Sequence, residues 1–215
     1  IFKYLTSHVQ PDKLKRSFIS PHQSFPQLKL MILAEIENCK NGLPSGIWLK
    51  CNSLVDHRLI ELLYEASQAG VPIEIVARGI CCLRPGVAGL SETITVRSII
   101  GRFLEHGRIY VFANGGEFLS DKNIVMISSA DLMPRNLRRR VECFMRLENP
   151  TIRKQVLHQI MVALLRDEKN AWYLQPDGSY VHPQTDETSF SCHEYFMSNP
   201  SLSGLGSLAA TKDNG

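Results

Sequence analysis

The residues of this sequence best suited to chemistry are cations placed where apolar runs end. Arg78 follows Ile73-Glu74-Ile75-Val76-Ala77 and opens a stretch that contains Gly79, Arg84, Pro85, Gly86 and Gly89. A guanidinium there can fork onto two phosphate oxygens, while nearby glycines let backbone N–H groups approach the same anion. A solvated surface arginine is the plainer alternative. His106, in Glu105-His106-Gly107-Arg108, can donate to phosphate or shuttle a proton. A satisfied surface or core histidine is the plainer reading for any one of the seven histidines. Lys50, near the end of the run Ile47 to Cys51, is a third cation at a strand edge and a candidate phosphate contact. Arg135, Arg138, Arg139 and Arg140 form a basic cluster, either a solvated, salt-bridged face or the lining of a path for a polyanion. No aromatics interleave with it, which favours bare phosphate contact over a platform for single-stranded nucleic acid.

A further constellation lies in Ile127-Ser128-Ser129-Ala130-Asp131-Leu132-Met133-Pro134-Arg135-Asn136, where two hydroxyls, a carboxylate, an arginine and an amide follow an apolar run. Together with His106-x-Arg108 it is similar to a degenerate H-x-K…G-S-x-N pattern of the phospholipase D-like fold. Arg108 stands for the lysine of that pattern and Asp131 for its asparagine.

The elements that must position these groups follow from periodicity. Ser24 and Gln27 have capping-box spacing, and Leu28, Met31, Ile32, Ala34 and Ile36 predict a helix that ends before Gly42. Ile47 to Cys51 reads as a strand, with Asn52 or Ser53 as cap for a second helix. Its apolar residues Leu59, Leu62, Leu63 and Ala66 recur at three and four before Gly70. Ile73 to Ala77 is the next strand, so the three elements form a βαβ unit with a parallel pair and a right-handed crossover. Arg78 to Glu92 holds too many breakers for an element and predicts a long loop at a strand's carboxyl end, where α/β sheets bind ligands. Beyond it the pattern predicts strands at 93–96, 108–112, 124–127 and 141–147, and a short helix over 98–104. A long helix is expected over 150–166, with Ile152, Val156, Ile160, Ala163 and Leu164 inward.

Composition bounds the rest. A chain of 215 residues with 44% hydrophobic and 21% charged residues can bury its own core, which disfavours disorder throughout, collagen and coiled coil. The formal charge, +3, is too small to imply a nucleic acid or membrane partner. No apolar run approaches the roughly 18 residues of a membrane span. The six cysteines contain no C-x-x-C pair and read as reduced thiols of a cytosolic protein. The opening on Ile1, without a targeting signal, suggests a piece of something longer.

Four stretches coincide in order with one family. Leu49 to Asp56, Val76 to Gly86, Gly101 to Tyr110 and Ser128 to Asn136 resemble the carboxyl-terminal domain of bacterial polyphosphate kinases of the phosphohistidine type. The run Arg78-Gly79-Ile80-Cys81-Cys82-Leu83-Arg84-Pro85-Gly86 is the most specific, and Leu174 to Tyr180 also fits. Departures are Cys51 where the family more often has Met, Pro134 where Thr is common, and His22-Gln23-Ser24 in place of Phe-Asn-Leu-Arg.

The resemblance implies an α/β fold of phospholipase D-like type, a mixed sheet flanked by helices. It implies a catalytic domain over 1–182, and the polar composition beyond it predicts a partly disordered tail over 183–215. The activity it implies is reversible transfer of the terminal phosphate of ATP to inorganic polyphosphate, with Mg2+, through a phosphohistidine on a preceding domain absent from this chain. Alone, the chain is then expected to be inactive. Arg78 matches the family's nucleotide-phosphate arginine and His106 its second active-site histidine, making His106 the catalytic candidate and both residues ATP contacts. Lys50, Arg135 and Asn136 are second-rank candidates for a polyphosphate path. No magnesium ligands are identified. Expected partners are ATP, ADP and polyphosphate rather than nucleic acid, in a homo-oligomeric, cytoplasmic protein that is at most membrane-peripheral. Two rivals stand beside this reading: a phospholipase D-type phosphodiesterase with His106 as nucleophile, and a non-catalytic module that binds polyanions through Arg135 to Arg140.

Overall fold

A computed structural model describes residues 17–199. β1 (Ser17–Ile19) leads into α1 (Ser24–Lys40), and β2 (Ile47–Cys51), α2 (His57–Gln68) and β3 (Ile73–Ala77) form the expected βαβ unit. β2 and β3 pair in parallel, from Ile47 beside Ile73 to Cys51 beside Ala77. After the long loop come β4 (Ile94–Ile99), β5 (Ile109–Phe112), β6 (Ile124–Ser128), α3 (Pro134–Arg138) and β7 (Cys143–Arg146). A continuous helical stretch follows: α4 (Pro150–Lys154), a π-helical segment (Gln155–Met161) and α5 (Val162–Arg166). The last elements are β8 (Ala171–Leu174), β9 (Tyr180–Val181) and α6 (Cys192–Ser198). Among the described residues no helix is long and apolar enough to cross a membrane.

The strands make one mixed sheet in the order β1-β7-β6-β5-β2-β3-β4-β8-β9. Among the described strands, only the β2–β3 and β3–β4 pairs are parallel. Strand residues alternate between two faces, as the period of two demands. Ile47, Leu49, Ile73 and Ile75 face a core completed by Leu28 and Ile32 of α1 and Leu59 and Leu63 of α2. Val76, Ile109, Val111 and Val125 face a second core with Leu157, Met161, Leu164 and Cys192. The architecture is the helix-flanked mixed sheet that the sequence led us to expect.

This topology gathers one edge of the sheet. β2, β3 and β4 end there, as does β6, which lies antiparallel to β5. β5 and β8, antiparallel to β2 and β4, begin there. Arg78, the 100–108 segment and Ser129 to Asp131 therefore emerge side by side, although as many as 53 positions separate Arg78 from Asp131 in the chain.

Several local expectations need correction. The cap of α1 is Gln23, whose side chain accepts from Ile19 N–H rather than from the helix, and Ser24 Oγ lies 2.6 Å from Ser20 Oγ and is already engaged. The cap of α2 is Asp56, whose carboxylate accepts from Leu59 N–H, so Asn52 and Ser53 belong to the loop before it. Residues 98–104 form no helix: Ser98 and Ile99 continue β4, where they pair with Trp172 and Ala171. In the long helix the wider π turn shifts the inward face. Leu157 and Met161 are buried while Ile152 is 48% exposed. Residues 183–199, within the stretch read as a tail, fold back instead. Cys192 is fully buried, and its N–H donates to the buried Asp167 carboxylate at 2.7 Å. Residues 200–215 lie outside the described residues.

One carboxylate braces the opposite edge. Glu35 on α1 is buried and accepts from Gly46 N–H at 3.0 Å and Asn114 N–H at 2.6 Å, joining the start of β2 to the turn after β5. Burial pushes its carboxyl above the usual range against the pull of those two donors. Glu35→Ala strands two buried N–H groups and is expected to lower the free energy of unfolding by about 2–5 kcal/mol in urea melts. The exposed Glu61→Ala should cost less than about 0.5 kcal/mol.

Candidate active site

The gathered edge sorts its charged groups into two sets. The first is spent on internal bonds. Lys50 alternates with Leu49 and Cys51, so it points away from the first core and is buried at 2% exposure. Its Nζ donates to the Gly107 carbonyl at 3.0 Å and lies 3.1 Å from Glu105 Oε2. Arg108 and Asp131 form a two-pronged pair, with Nε to Oδ1 at 3.2 Å and Nη2 to Oδ2 at 2.9 Å. Arg108 also donates to the His106 carbonyl at 3.3 Å. The Asn52 N–H reaches Asp131 Oδ1 at 2.8 Å. Asn136, buried at 5%, donates to Glu142 at 2.7 Å, and Arg138 pairs with the buried Asp56 at 2.8 Å.

The second set is left open. Among the described residues the guanidiniums of Arg78, Arg102 and Arg135 and the His106 imidazole make no hydrogen bond or ion pair to protein. A cavity of about 310 Å³ is lined by Arg78 and residues 99–105, with His106 following directly and exposed. On its other flank Arg78 borders a second, mostly apolar cavity with Gly79, Ser98, Ile100, Trp172 and Tyr180. The backbone there runs close: Gly79 N–H donates to the Asn52 carbonyl at 2.7 Å, and a Cβ on Gly79 would stand 3.0 Å from that oxygen.

Each sequence candidate can now be placed. Arg78 and the loop that carries His106 meet at one cavity. Lys50 lies beneath that loop and is held by Glu105. Asn136 is tied to Glu142, Arg135 is exposed on α3, and Arg139 and Arg140 are exposed just after it. Three residues went unassigned in the sequence: Arg102, Trp172 and Tyr180. Arg102 was legible as a cation beside Gly101, but only the turn after β4 brings it to Arg78. The aromatics come from strands too short to show a period.

All six cysteines are free. Burial pushes the Cys81 thiol up to about 11 and that of Cys51 well above its ordinary value, which disfavours thiolate chemistry beside Arg78. Among the described residues no group of three or more His, Cys, Asp or Glu side chains is placed to hold a metal ion, so these residues do not by themselves fit a magnesium site.

Free cations thus converge at the ends of the parallel strands of an α/β mixed sheet, the end at which open α/β sheets place their ligands. The comparisons narrow this. Residues 17–192 match the model of the family described as polyphosphate kinase C-terminal domain 2, and the chain belongs to that family. It is 51% identical over 206 residues to a polyphosphate kinase of Erythrobacter litoralis, covering 96% of this chain and 29% of that protein. It is 46% identical over 198 residues to one of Synechocystis, covering 91% and 26%. The crystal structure of polyphosphate kinase from Porphyromonas gingivalis superposes with a TM-score of 0.84 at 32% identity, over 96% of this chain and 31% of that one. The chain thus spans under a third of the length of these relatives.

The Arg108–Asp131 pair sets an acid limit on this edge. Burial alone would push the Asp131 carboxyl up, but the hydrogen bonds from Arg108 and Asn52 outweigh it and hold the group below the usual carboxylate range. A lowered folded pKa means the ionised form is favoured by folding. Its contribution is complete above the unfolded value and is lost as pH falls through the folded one. Thermal melts should therefore show stability falling with acid below about pH 4, and Asp131→Asn should flatten that limb while lowering stability at neutral pH.

Proposed function

We propose that the protein to which this chain belongs moves the terminal phosphoryl group of ATP reversibly onto inorganic polyphosphate, and that this domain supplies the nucleotide-phosphate grip. The observation that carries the reading is the unpaired Arg78 guanidinium at the end of β3, which lines one cavity with the loop that leads into His106. Phosphoryl transfer asks for fixed positive charge around three equatorial oxygens more than for a strong base. Arg78 holds the nucleotide phosphates and Arg102 adds a second guanidinium on the same wall. His106 donates a hydrogen bond to the transferring group. The apolar cavity beside Arg78 offers Trp172 and Tyr180 as faces for the nucleobase.

In the forward direction the bond between the terminal phosphorus and its bridging oxygen breaks, and ADP leaves with that electron pair. A histidine nitrogen of the upstream domain forms the new P–N bond. In the second step the terminal oxygen of polyphosphate takes the phosphoryl group and the P–N electrons return to the histidine. Magnesium, when bound, would screen charge between the phosphates. Arg135 remains a candidate contact for the polyphosphate chain, since its side chain is exposed and unpaired among the described residues. Lys50 and Asn136 act through the bonds that hold the site rather than by contact with phosphate. The phosphodiesterase rival is weakened because Arg108 and Asp131, which stand for the lysine and asparagine of that pattern, neutralise each other.

In the full-length protein, His106→Ala should lower polyphosphate synthesis by about 10²-fold or more while nucleotide binding changes by no more than about threefold. Arg78→Ala should instead weaken ATP binding as well as the rate. Retained synthesis in His106→Ala would overturn the reading, as would synthesis from ATP by this chain alone.

A further inference from the structure

The loop that carries His106 crosses from β4 to β5 with no regular structure of its own. Its hold on the domain is one ion pair and one hydrogen bond made by Glu105, together with hydrogen bonds of the main chain around it. Glu105 Oε2 meets Lys50 Nζ at 3.1 Å, and Glu105 Oε1 meets His193 Nε2 at 3.0 Å. Lys50 and His193 are both buried at 2%. They belong to elements far apart in the chain, the centre of the sheet and the first turn of α6. His193 Nδ1 accepts from Phe103 N–H at 3.4 Å, which places the ring hydrogen on Nε2, donating to Glu105. The ring also packs edge-on against Phe103, with centroids 5.2 Å apart. Gly101 leaves room for it: a Cβ there would stand 2.6 Å from His193 Nδ1.

α6 is anchored in its turn. The buried Asp167 accepts from Cys192 N–H and from Asn170, whose amide also donates to Ser191 Oγ, the cap of the helix. A rigid path of hydrogen bonds thus leads from the end of α5 through His193 to the residue preceding His106. His193 lies one position beyond the matched family span.

Resting on the reading above, we propose that His193 is a positioning residue for His106: by gripping Glu105 from α6 while Lys50 grips it from β2, it fixes the 101–107 loop so that the imidazole of His106 is presented at the phosphate cavity. Small displacements of a group that acts in the transition state cost rate rather than substrate affinity.

The test uses the full-length protein and two substitutions of similar size. His193→Gln keeps a donor where Nε2 stands, so the Glu105 bond survives. His193→Asn keeps an acceptor where Nδ1 stands but cannot reach Glu105. The expected result is a fall of roughly ten- to a hundredfold in kcat for His193→Asn with KM for ATP within about twofold, and a kcat for His193→Gln within about threefold of the parent. Hydrogen exchange supplies a readout independent of activity: amides 101–107 should exchange at least about tenfold faster in His193→Asn, with those of β2, β3 and α2 unchanged. Equal kcat in the two variants would overturn the proposal, as would faster exchange spread over the whole sheet. If the parent protein makes no polyphosphate at all, the functional reading fails instead, while the exchange pattern still reports whether His193 holds the loop.

Discussion

A lysine placed in the middle of a nine-stranded sheet must find a counter-charge, because an unpaired ammonium buried there would cost several kcal/mol. Lys50 finds Glu105, and Glu105 lies on the one loop between β4 and β5. That pairing dictates where the loop can run. It must fold over the end of β2, bringing Gly107 onto Lys50 Nζ and leaving His106 on the outer side. Arg108 continues the same logic by binding Asp131 and reaching back to the His106 carbonyl. The backbone of the candidate catalytic histidine is therefore held on both sides by charged groups that are themselves neutralised.

The division between satisfied and free cations gives the edge its character. Lys50, Arg108 and Arg138 each meet a carboxylate, so they contribute shape and rigidity and little net field. Arg78 and Arg102 meet none among the described residues, so the positive potential at the cavity comes from them. A phosphate entering there would replace water as their partner without first breaking a protein ion pair, the preorganised arrangement that favours developing negative charge.

Much of this was legible in the sequence. The βαβ unit could be read because Leu59, Leu62, Leu63 and Ala66 keep a helical period between two apolar runs, with glycine at the turn. Arg78 could be placed at a strand end for the same reason. The partners of Lys50 and Asn136 could not, since Glu105 and Glu142 are brought to them by sheet pairing and a turn, not by any local pattern. Arg108 and Asp131 looked like two separate departures from a pattern, and only the pairing of β5 with β6 shows that they compensate each other. The carboxyl-terminal region hid its structure most fully: β8 has four residues, β9 two, and α6 buries only Cys192 and His193 in a segment otherwise polar enough to resemble a tail.

The central claim is that Arg78 and His106 act on one anion. The most direct measurement is a structure of the full-length protein with a non-hydrolysable ATP analogue. The account predicts the Arg78 guanidinium and the His106 imidazole each within about 3 Å of phosphate oxygens of the same nucleotide. A triphosphate bound along Arg139 and Arg140, with Arg78 still facing water, would contradict it.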